Sequence, residues 1–325
     1  MDNFWQSSAP FFILAPMEDV TDTAFREVVM SVSDAEVLNV LFTEFMSTDG
    51  YLDSRGHDKV ATRLIISESE RKLLKERNTK LVAQIWGNNP EKFFESTKRI
   101  SELGDFDGID INMGCPVKKV VKKGTCSALI KDPQLAAEII QATKEGSNVP
   151  VSVKTRIGFN KVETENWSEH LLKQDIAALT VHGRTQKMQS DGLADWDEIG
   201  KAVEIKKQLS KETAIIGNGD VDSVEQGHSL IMKHGLNGVM IGRGIFKNPW
   251  MFTTQTVTPD LNARIELLKK HVRLFEDSWS GNRNFNILKR FFKIYVNSFD
   301  GAGALRARLM ETKGVDEAFS VLERR

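Results

Sequence analysis

The densest chemistry of the 325-residue chain lies in Asp110-Ile111-Asn112-Met113-Gly114-Cys115-Pro116. The apolar run from Gly108 to Met113 reads as a short buried strand, which Gly-Cys-Pro breaks so as to expose the thiol. Polar residues inside a buried strand are costly unless satisfied, so Asp110 and Asn112 are expected to have a task. Lys118, Lys119, Lys122 and Lys123 follow Cys115 and give it a positive field, which favours a reactive thiol. A buried structural cysteine is the alternative, and these residues alone leave it open. Polar residues end other apolar runs too: Glu44, Gln84, Lys154 with Arg156, His182 with Arg184, Asn218 with Asp220, and Arg243. One polar strand end is ordinary capping. Seven in one chain point to a single composite site.

Those strand ends need a scaffold that brings them together. Eight strand-like runs can be read: Phe11–Met17, Val37–Phe45, Leu81–Gly87, Gly108–Gly114, Val151–Arg156, Leu179–Arg184, Ala214–Asp220 and Gly238–Gly244. Helical segments alternate with them, with starts signalled at Asn89-Pro90, Asp132-Pro133 and Asp222-Ser223. The pattern predicts an α/β fold, a (β/α)8 TIM barrel whose strand C-termini meet at one mouth. A doubly wound open sheet is the alternative fold, weakened by the lack of GxGxxG after the first strand. Gly217-Asn218-Gly219-Asp220 and Gly242-Arg243-Gly244 follow strands seven and eight, where barrels often bind phosphate. Backbone N–H groups and Arg243 would grip an anion there.

Composition bounds the class. Charged residues at 27% and hydrophobic residues at 40% are those of a globular chain, and a net charge of -1 excludes a protein that coats nucleic acid by bulk charge. The two cysteines, Cys115 and Cys126, make no disulfide framework, and a cytoplasmic location is expected. No run is apolar enough to span a membrane, and the N-terminus has no signal-peptide pattern. No metal is expected, and the chain is expected to be a monomer. After Pro249-Trp250 the character changes: residues 262–325 hold 13 Lys/Arg against 8 Asp/Glu. Helical spacing of Ile265, Leu268, Val272 and Phe275, then of Ile287 to Tyr295, predicts a small helical domain over residues 251–325, after a catalytic barrel over residues 1–250. Lys289, Arg290, Lys293, Arg306 and Arg308 could follow an RNA backbone; a solvated helix face is the alternative.

Together these residues resemble the dihydrouridine synthase family of flavoenzymes, which reduce uridines in tRNA. The resemblance covers essentially the whole chain. It is carried by Asn112-Met113-Gly114-Cys115-Pro116 with Lys118-Lys119-Val120, by Ala15-Pro16-Met17-Glu18 and by Val153-Lys154-Thr155-Arg156. His182-Gly183-Arg184-Thr185, Asn218-Gly219-Asp220 and Ile241-Gly242-Arg243-Gly244 complete it, in the family's order. The resemblance implies an FMN-bearing barrel, a C-terminal helical domain that grips tRNA, and NADPH as reductant. It implies that Pro16, Met17 and Glu18 line the isoalloxazine, and that Gln84, Lys154 and His182 contact its polar edge and ribityl chain. Asn218, Gly219, Asp220, Gly242 and Arg243 would hold the phosphate. Cys115 would be the general acid, and Glu44, Asn112, Arg156 and Arg184 would face the uridine. A thiol, with a reference pKa of about 8.5, suits that acid role at neutral pH. The chain departs from the family at Cys126, where a small residue, most often glycine, is usual; the second thiol is expected to be tolerated without a function. Two rivals remain: a flavin barrel acting on a free pyrimidine, in the manner of dihydroorotate dehydrogenases, and a non-catalytic tRNA-binding protein.

Overall fold

The eight apolar runs form eight parallel strands in a computed structural model that describes residues 3–324. They are β1 (Phe11–Leu14), β2 (Leu38–Ser47), β3 (Lys80–Trp86), β4 (Gly108–Asn112), β5 (Val151–Arg156), β6 (Ala178–His182), β7 (Ala214–Asn218) and β8 (Gly238–Ile241). Each pairs with the next in sequence, and β8 pairs with β1 to close a barrel. Several strands stop short of the runs read from sequence, at Leu14, Asn112, His182, Asn218 and Ile241. Met17, Cys115, Arg184, Asp220 and Arg243 therefore sit on the loops of the mouth, free of the ladder.

The barrel interior divides into two halves, because side chains alternate along each strand. Phe11, Ile13, Val40, Phe42, Ile216 and Met240 fill the lower half, which Trp5 closes from below. The upper half is polar. Register pairs Gln84 with Asp110, Asn112 with Lys154, and His182 with both Arg156 and Asn218. Neighbouring strands thus carry these groups at matching heights.

The helices start where their chemistry said they would. Asn89, Asp132 and Ser223 accept from the backbone N–H of Lys92, Leu135 and Gln226, capping helices Pro90–Leu103, Pro133–Gly146 and Val224–His234. Each cap satisfies a donor that the first helical turn leaves unpaired. Among the described residues, no helix is long and apolar enough to cross a membrane.

Beyond the barrel, helix Leu261–Trp279 buries Ile265, Leu268, Val272 and Phe275, as their spacing predicts. The run from Ile287 to Tyr295 departs from the expected single helix. It forms two short pieces, Asn286–Lys289 and Phe292–Tyr295, joined by tighter i to i+3 hydrogen bonds through Phe291. Helix Leu261–Trp279 packs on helix Thr23–Ser31, and the Phe25 ring lies 5.0 Å from that of Phe291. The apolar core runs without interruption from the barrel's outer layer into these helices. A buried polar clamp fixes the junction. Trp279 Nε1 donates to Asp22 at 2.8 Å, and Arg283 donates to Asp22 at 3.0 Å and to Glu44 at 2.5 Å.

Candidate active site

Cys115 follows β4, and its loop is tied down from several sides. Asn112 Oδ1 accepts from the backbone N–H of both Gly114 and Cys115 at 3.0 Å, turning the chain sharply after the strand. Ser127 Oγ donates to the Cys115 carbonyl at 2.8 Å, and Arg156 Nε donates to the Gly114 carbonyl at 2.6 Å. The thiol's pKa is lowered to about 7. A hydrogen bond from Cys126 contributes most, against burial, with help from the Val117 N–H and the charges of Arg156 and Lys154. The four nearby lysines, expected to supply the field, are exposed, and the larger charge contributions come from Arg156 and Lys154 instead.

Beneath this loop runs a buried relay. Ser152 Oγ and Gln84 Nε2 donate to the two Asp110 oxygens at 2.6 and 2.8 Å, and Asn112 Nδ2 donates to Gln84 Oε1 at 3.0 Å. Burial pushes the Asp110 carboxyl up to about 6. Polar residues in β4 are thus satisfied within the barrel, and the chain Asp110–Gln84–Asn112 orients the turn that carries Cys115.

Across the mouth lies a cavity of about 410 Å3, lined by Pro16, Met17, Lys154, His182, Asn218, Gly219, Gly242 and Arg243 among others. Its size is within the range of small-ligand sites. Lys154 Nζ donates to Asn218 Oδ1 at 3.0 Å, and Asn218 Nδ2 donates to the Met240 carbonyl at 2.8 Å. An ammonium has three donors, so Lys154 keeps others for a ligand. Burial, then the Arg156 charge, lowers its pKa to about 8. His182 is held neutral by burial and by the cations around it. Arg184 can only donate, so its 3.2 Å contact makes His182 Nε2 the acceptor and leaves the proton on Nδ1. Gly219 has φ +129°, and a Cβ there would lie 2.6 Å from that of Ala194 and 3.2 Å from the His182 ring. At Gly242, by contrast, a Cβ would meet nothing closer than 3.6 Å. Gly217 and Gly244 serve packing instead: a Cβ would strike the Trp196 ring at 2.2 Å and the Val221 carbonyl at 2.3 Å.

The structure assigns other duties to several expected ligand contacts. Asp220 accepts from Arg184 at 2.6 Å and from the Ala194 N–H at 2.8 Å, and lies 3.8 Å from Arg243. A carboxylate repels phosphate, so Asp220 positions the arginines and does not itself grip an anion. Arg184 is buried against Asp220 and the carbonyls of Asp191 and Gly192, and Arg156 against those of Gly114, Thr185 and Gln189. Arg156 Nη2 makes none of these bonds and remains available to a ligand. Gln84 and Asn112 each give one amide N–H to the relay. Glu44 is fully buried, accepting from the Asp19 N–H at 2.7 Å and from Arg283; burial raises its pKa, the Arg283 charge opposing. Glu18 turns away to Arg63 at 2.8 Å. Glu18, Asp19 and Glu44 do converge within 4.8 Å, the spacing of a metal site. Arg63, Arg283 and Arg290 already answer these acids, since Arg290 lies 3.6 Å from Asp19.

Some site residues went unread. Ser152, Arg63, Asp22, Trp279 and Arg283 gave no local signal, and Arg283 meets Asp22 and Glu44 across 261 and 239 positions. Cys126 did give a signal. It has φ +54°, a left-handed conformation that costs a residue with a β-carbon roughly 1–2 kcal/mol and that glycine adopts freely.

Glycine-bearing loops after β7 and β8, with a lysine and an acidic thiol at the same mouth, are the layout of a barrel enzyme that works on a ligand above its strand ends. The chain belongs to the dihydrouridine synthase family, whose model matches residues 13–324. It is 44% identical to a probable tRNA-dihydrouridine synthase of Staphylococcus aureus strain MRSA252, over 99% of this chain and 95% of that one. It is 42% identical to probable tRNA-dihydrouridine synthase 2 of Bacillus subtilis strain 168, over 99% and 96%. Among solved structures it is similar to histamine dehydrogenase from Rhizobium sp. 4-9 (TM-score 0.54, 12% identity, 81% of this chain and 48% of that chain). A morphinone reductase variant in complex with tetrahydroNAD is similar over 74% and 85%, with a TM-score of 0.51 and 10% identity. At those identities the likeness is one of fold.

Proposed function

We propose that this enzyme reduces the 5,6 double bond of particular tRNA uridines to dihydrouridine, with FMN as its resident flavin and NADPH as reductant. Family membership and the names of the relatives support the substrate and the flavin; the residues support the rest. A flavin fits the mouth. The cavity is lined by Pro16 and Met17, by Lys154, and by Gly219, Gly242 and Arg243, which could cradle an anion. When bound, FMN would supply hydride chemistry, with NADPH as its reductant. Lys154 would stabilise negative charge on it, and His182 would offer an Nδ1–H donor. Asp220 lies 3.8 Å from Arg243 and would position it for an anion.

Cys115 delivers the proton to C5 and regains one from solvent after product leaves. The observation that carries this reading is the thiol itself: acidic near neutrality, half-buried, and held by Asn112 and Ser127. A group with a pKa near the working pH is both protonated often enough and willing to give the proton up.

The target base must leave its stack to reach that depth, and the C-terminal helices would hold the rest of the tRNA. A cleft of about 630 Å3 supports this. Val20, Phe246, Phe291 and Ile294 form an apolar floor, and Lys247, Arg290 and Lys293 its rim. Aromatic floor and cationic rim suit unstacked bases and phosphates. Two free thiols fit a cytoplasmic enzyme.

Cys115→Ala tests the proton donor. The variant should bind flavin and accept electrons from NADPH as wild type does, while dihydrouridine formation in unmodified tRNA falls at least about 100-fold, the usual scale for a lost general acid. Wild-type dihydrouridine formation by this variant would remove Cys115 from the role.

A further inference from the structure

The turn that carries Cys115 is held by its carbonyls as well as by its N–H groups. Four consecutive carbonyls each accept from a different side chain: Met113 from Thr155 Oγ1 at 3.1 Å, Gly114 from Arg156 Nε at 2.6 Å, Cys115 from Ser127 Oγ at 2.8 Å, and Pro116 from Gln186 Nε2 at 3.1 Å. Thr155 and Arg156 belong to the neighbouring strand β5, but Gln186 reaches in from the loop after β6, 70 positions away. Proline has no N–H, so its carbonyl is the one backbone group by which Pro116 can be fastened. A carbonyl can only accept, so the Gln186 amide must present its nitrogen. Gln186 is itself braced. Its N–H donates to the Gly158 carbonyl at 3.0 Å, and Arg156 Nη1 grips the carbonyls of Thr185 and Gln189 at 3.1 and 2.8 Å. Past Pro116 the chain is exposed at Val117, Lys118 and Lys119, and the next tie to another strand's loop is Asn88 Nδ2 on the Lys123 carbonyl at 2.8 Å. Gln186 is thus the outermost tie on the Cys115 turn.

We propose that Gln186 is a positioning residue for the reaction, which holds the Pro116 carbonyl and so fixes where the Cys115 thiol stands over the target base. The inference rests on the reading of Cys115 as proton donor and deepens it. A proton passes between heavy atoms roughly 3 Å apart, so a small displacement of the sulfur is felt in the rate. Gln186 does not line the flavin cavity, and it acts on the backbone beside Cys115 rather than on the reacting atoms. Gln186 and Pro116 are both half-buried, so water can replace the bond when the side chain is changed. The fold survives that exchange. What is lost is the fixed place of the turn, because a water molecule follows the carbonyl wherever it moves, whereas Gln186 is anchored to Gly158.

The test is single-turnover reduction of unmodified tRNA by the flavin-loaded enzyme, in Gln186→Met, in Gln186→Arg, and in Gln186→Met combined with Cys115→Ala. Methionine keeps the length of the side chain and removes the donor. Arginine carries an N–H the same number of bonds from the backbone and restores it. Gln186→Met should keep wild-type flavin content, wild-type reduction by NADPH and an unchanged half-saturating tRNA concentration. Its rate at saturating tRNA should fall about tenfold, inside the roughly hundredfold that a misplacement near 1 Å can cost, and Gln186→Arg should stay within about threefold of wild type. In the Cys115→Ala background Gln186→Met should cause no further loss, since the group it positions is already gone. A wild-type rate in Gln186→Met would overturn the proposal. So would a Gln186→Arg as slow as Gln186→Met, or a full additional loss in the Cys115→Ala background. Failure of the proton-donor reading looks different: Cys115→Ala alone would then reduce tRNA at the wild-type rate.

Discussion

Replacing Arg283 by methionine should unfasten the helical region from the barrel in a pH-dependent way. Arg283 is the shared partner of Asp22 and Glu44, and all three side chains are at most 6% exposed. Methionine keeps an apolar stem against the Trp279 ring, which the guanidinium now covers at 4.1 Å. Asp22 retains two donors, Trp279 Nε1 at 2.8 Å and the Phe25 N–H at 2.9 Å. Glu44 retains only the Asp19 N–H, so its cheapest response is to take up a proton. From an ordinary carboxyl value of 4.5, protonation at pH 7 costs about 3.4 kcal/mol, at 1.36 kcal/mol per pH unit, and at pH 5 about 0.7 kcal/mol. The first figure agrees with the roughly 3–5 kcal/mol of a broken buried pair. The sign follows from linkage. Losing Arg283 raises the folded-state pKa of Glu44 further above its unfolded value, so the penalty is absent below pH 4.5 and grows as pH rises. Urea unfolding at pH 5 and pH 7 measures it. The variant should be nearly as stable as wild type at pH 5 and markedly weaker at pH 7, and adding Glu44→Gln should recover most of the loss. An equal loss at both pH values would refute the protonation argument.

Two further perturbations separate cofactor from RNA. Gly219→Ala forces a β-carbon into a φ of +129° and onto Ala194 and His182, so the purified protein should carry much less flavin, by absorbance, with an unchanged circular dichroism spectrum; full flavin content would show that the cradle lies elsewhere. Lys293 and Arg308 are exposed and, among the described residues, their side chains have no hydrogen bond or ion pair, whereas those of Lys289, Arg290 and Arg306 are bonded to Met310, Asp19 and Val296. Lys293→Glu with Arg308→Glu should weaken tRNA binding about tenfold and reduce the salt slope by one or two, with flavin content unchanged; a wild-type slope would take these helices out of the RNA interface.

What the sequence reveals here follows the range of the forces involved. Strand positions were legible because a buried parallel strand must be continuously apolar, and helix starts because Asn89, Asp132 and Ser223 announce caps within three residues. The convergence of Lys154, His182, Asn218 and Arg243 was legible because a barrel collects its strand ends at one mouth. Individual contacts were not. The loop carbonyls that Arg156 and Arg184 bind leave no mark in the sequence. The partner of Glu44 was hidden for the same reason, since Arg283 is recruited through the packing of helix Leu261–Trp279 on helix Thr23–Ser31. Cys126 was visible as a departure from the family pattern. Its positive φ shows why glycine is the usual residue.

The central claim is that one barrel mouth joins a flavin to a tRNA uridine, and anaerobic reoxidation tests it most directly. The purified enzyme is reduced with NADPH, mixed with unmodified tRNA or with free uridine, and followed at the oxidised-flavin band, roughly 450 nm. The account predicts rapid return of the oxidised flavin with tRNA, with dihydrouridine formed in step, and none with free uridine. A flavin that stays reduced in the presence of tRNA, or that is reoxidised equally well by the free nucleoside, would contradict it.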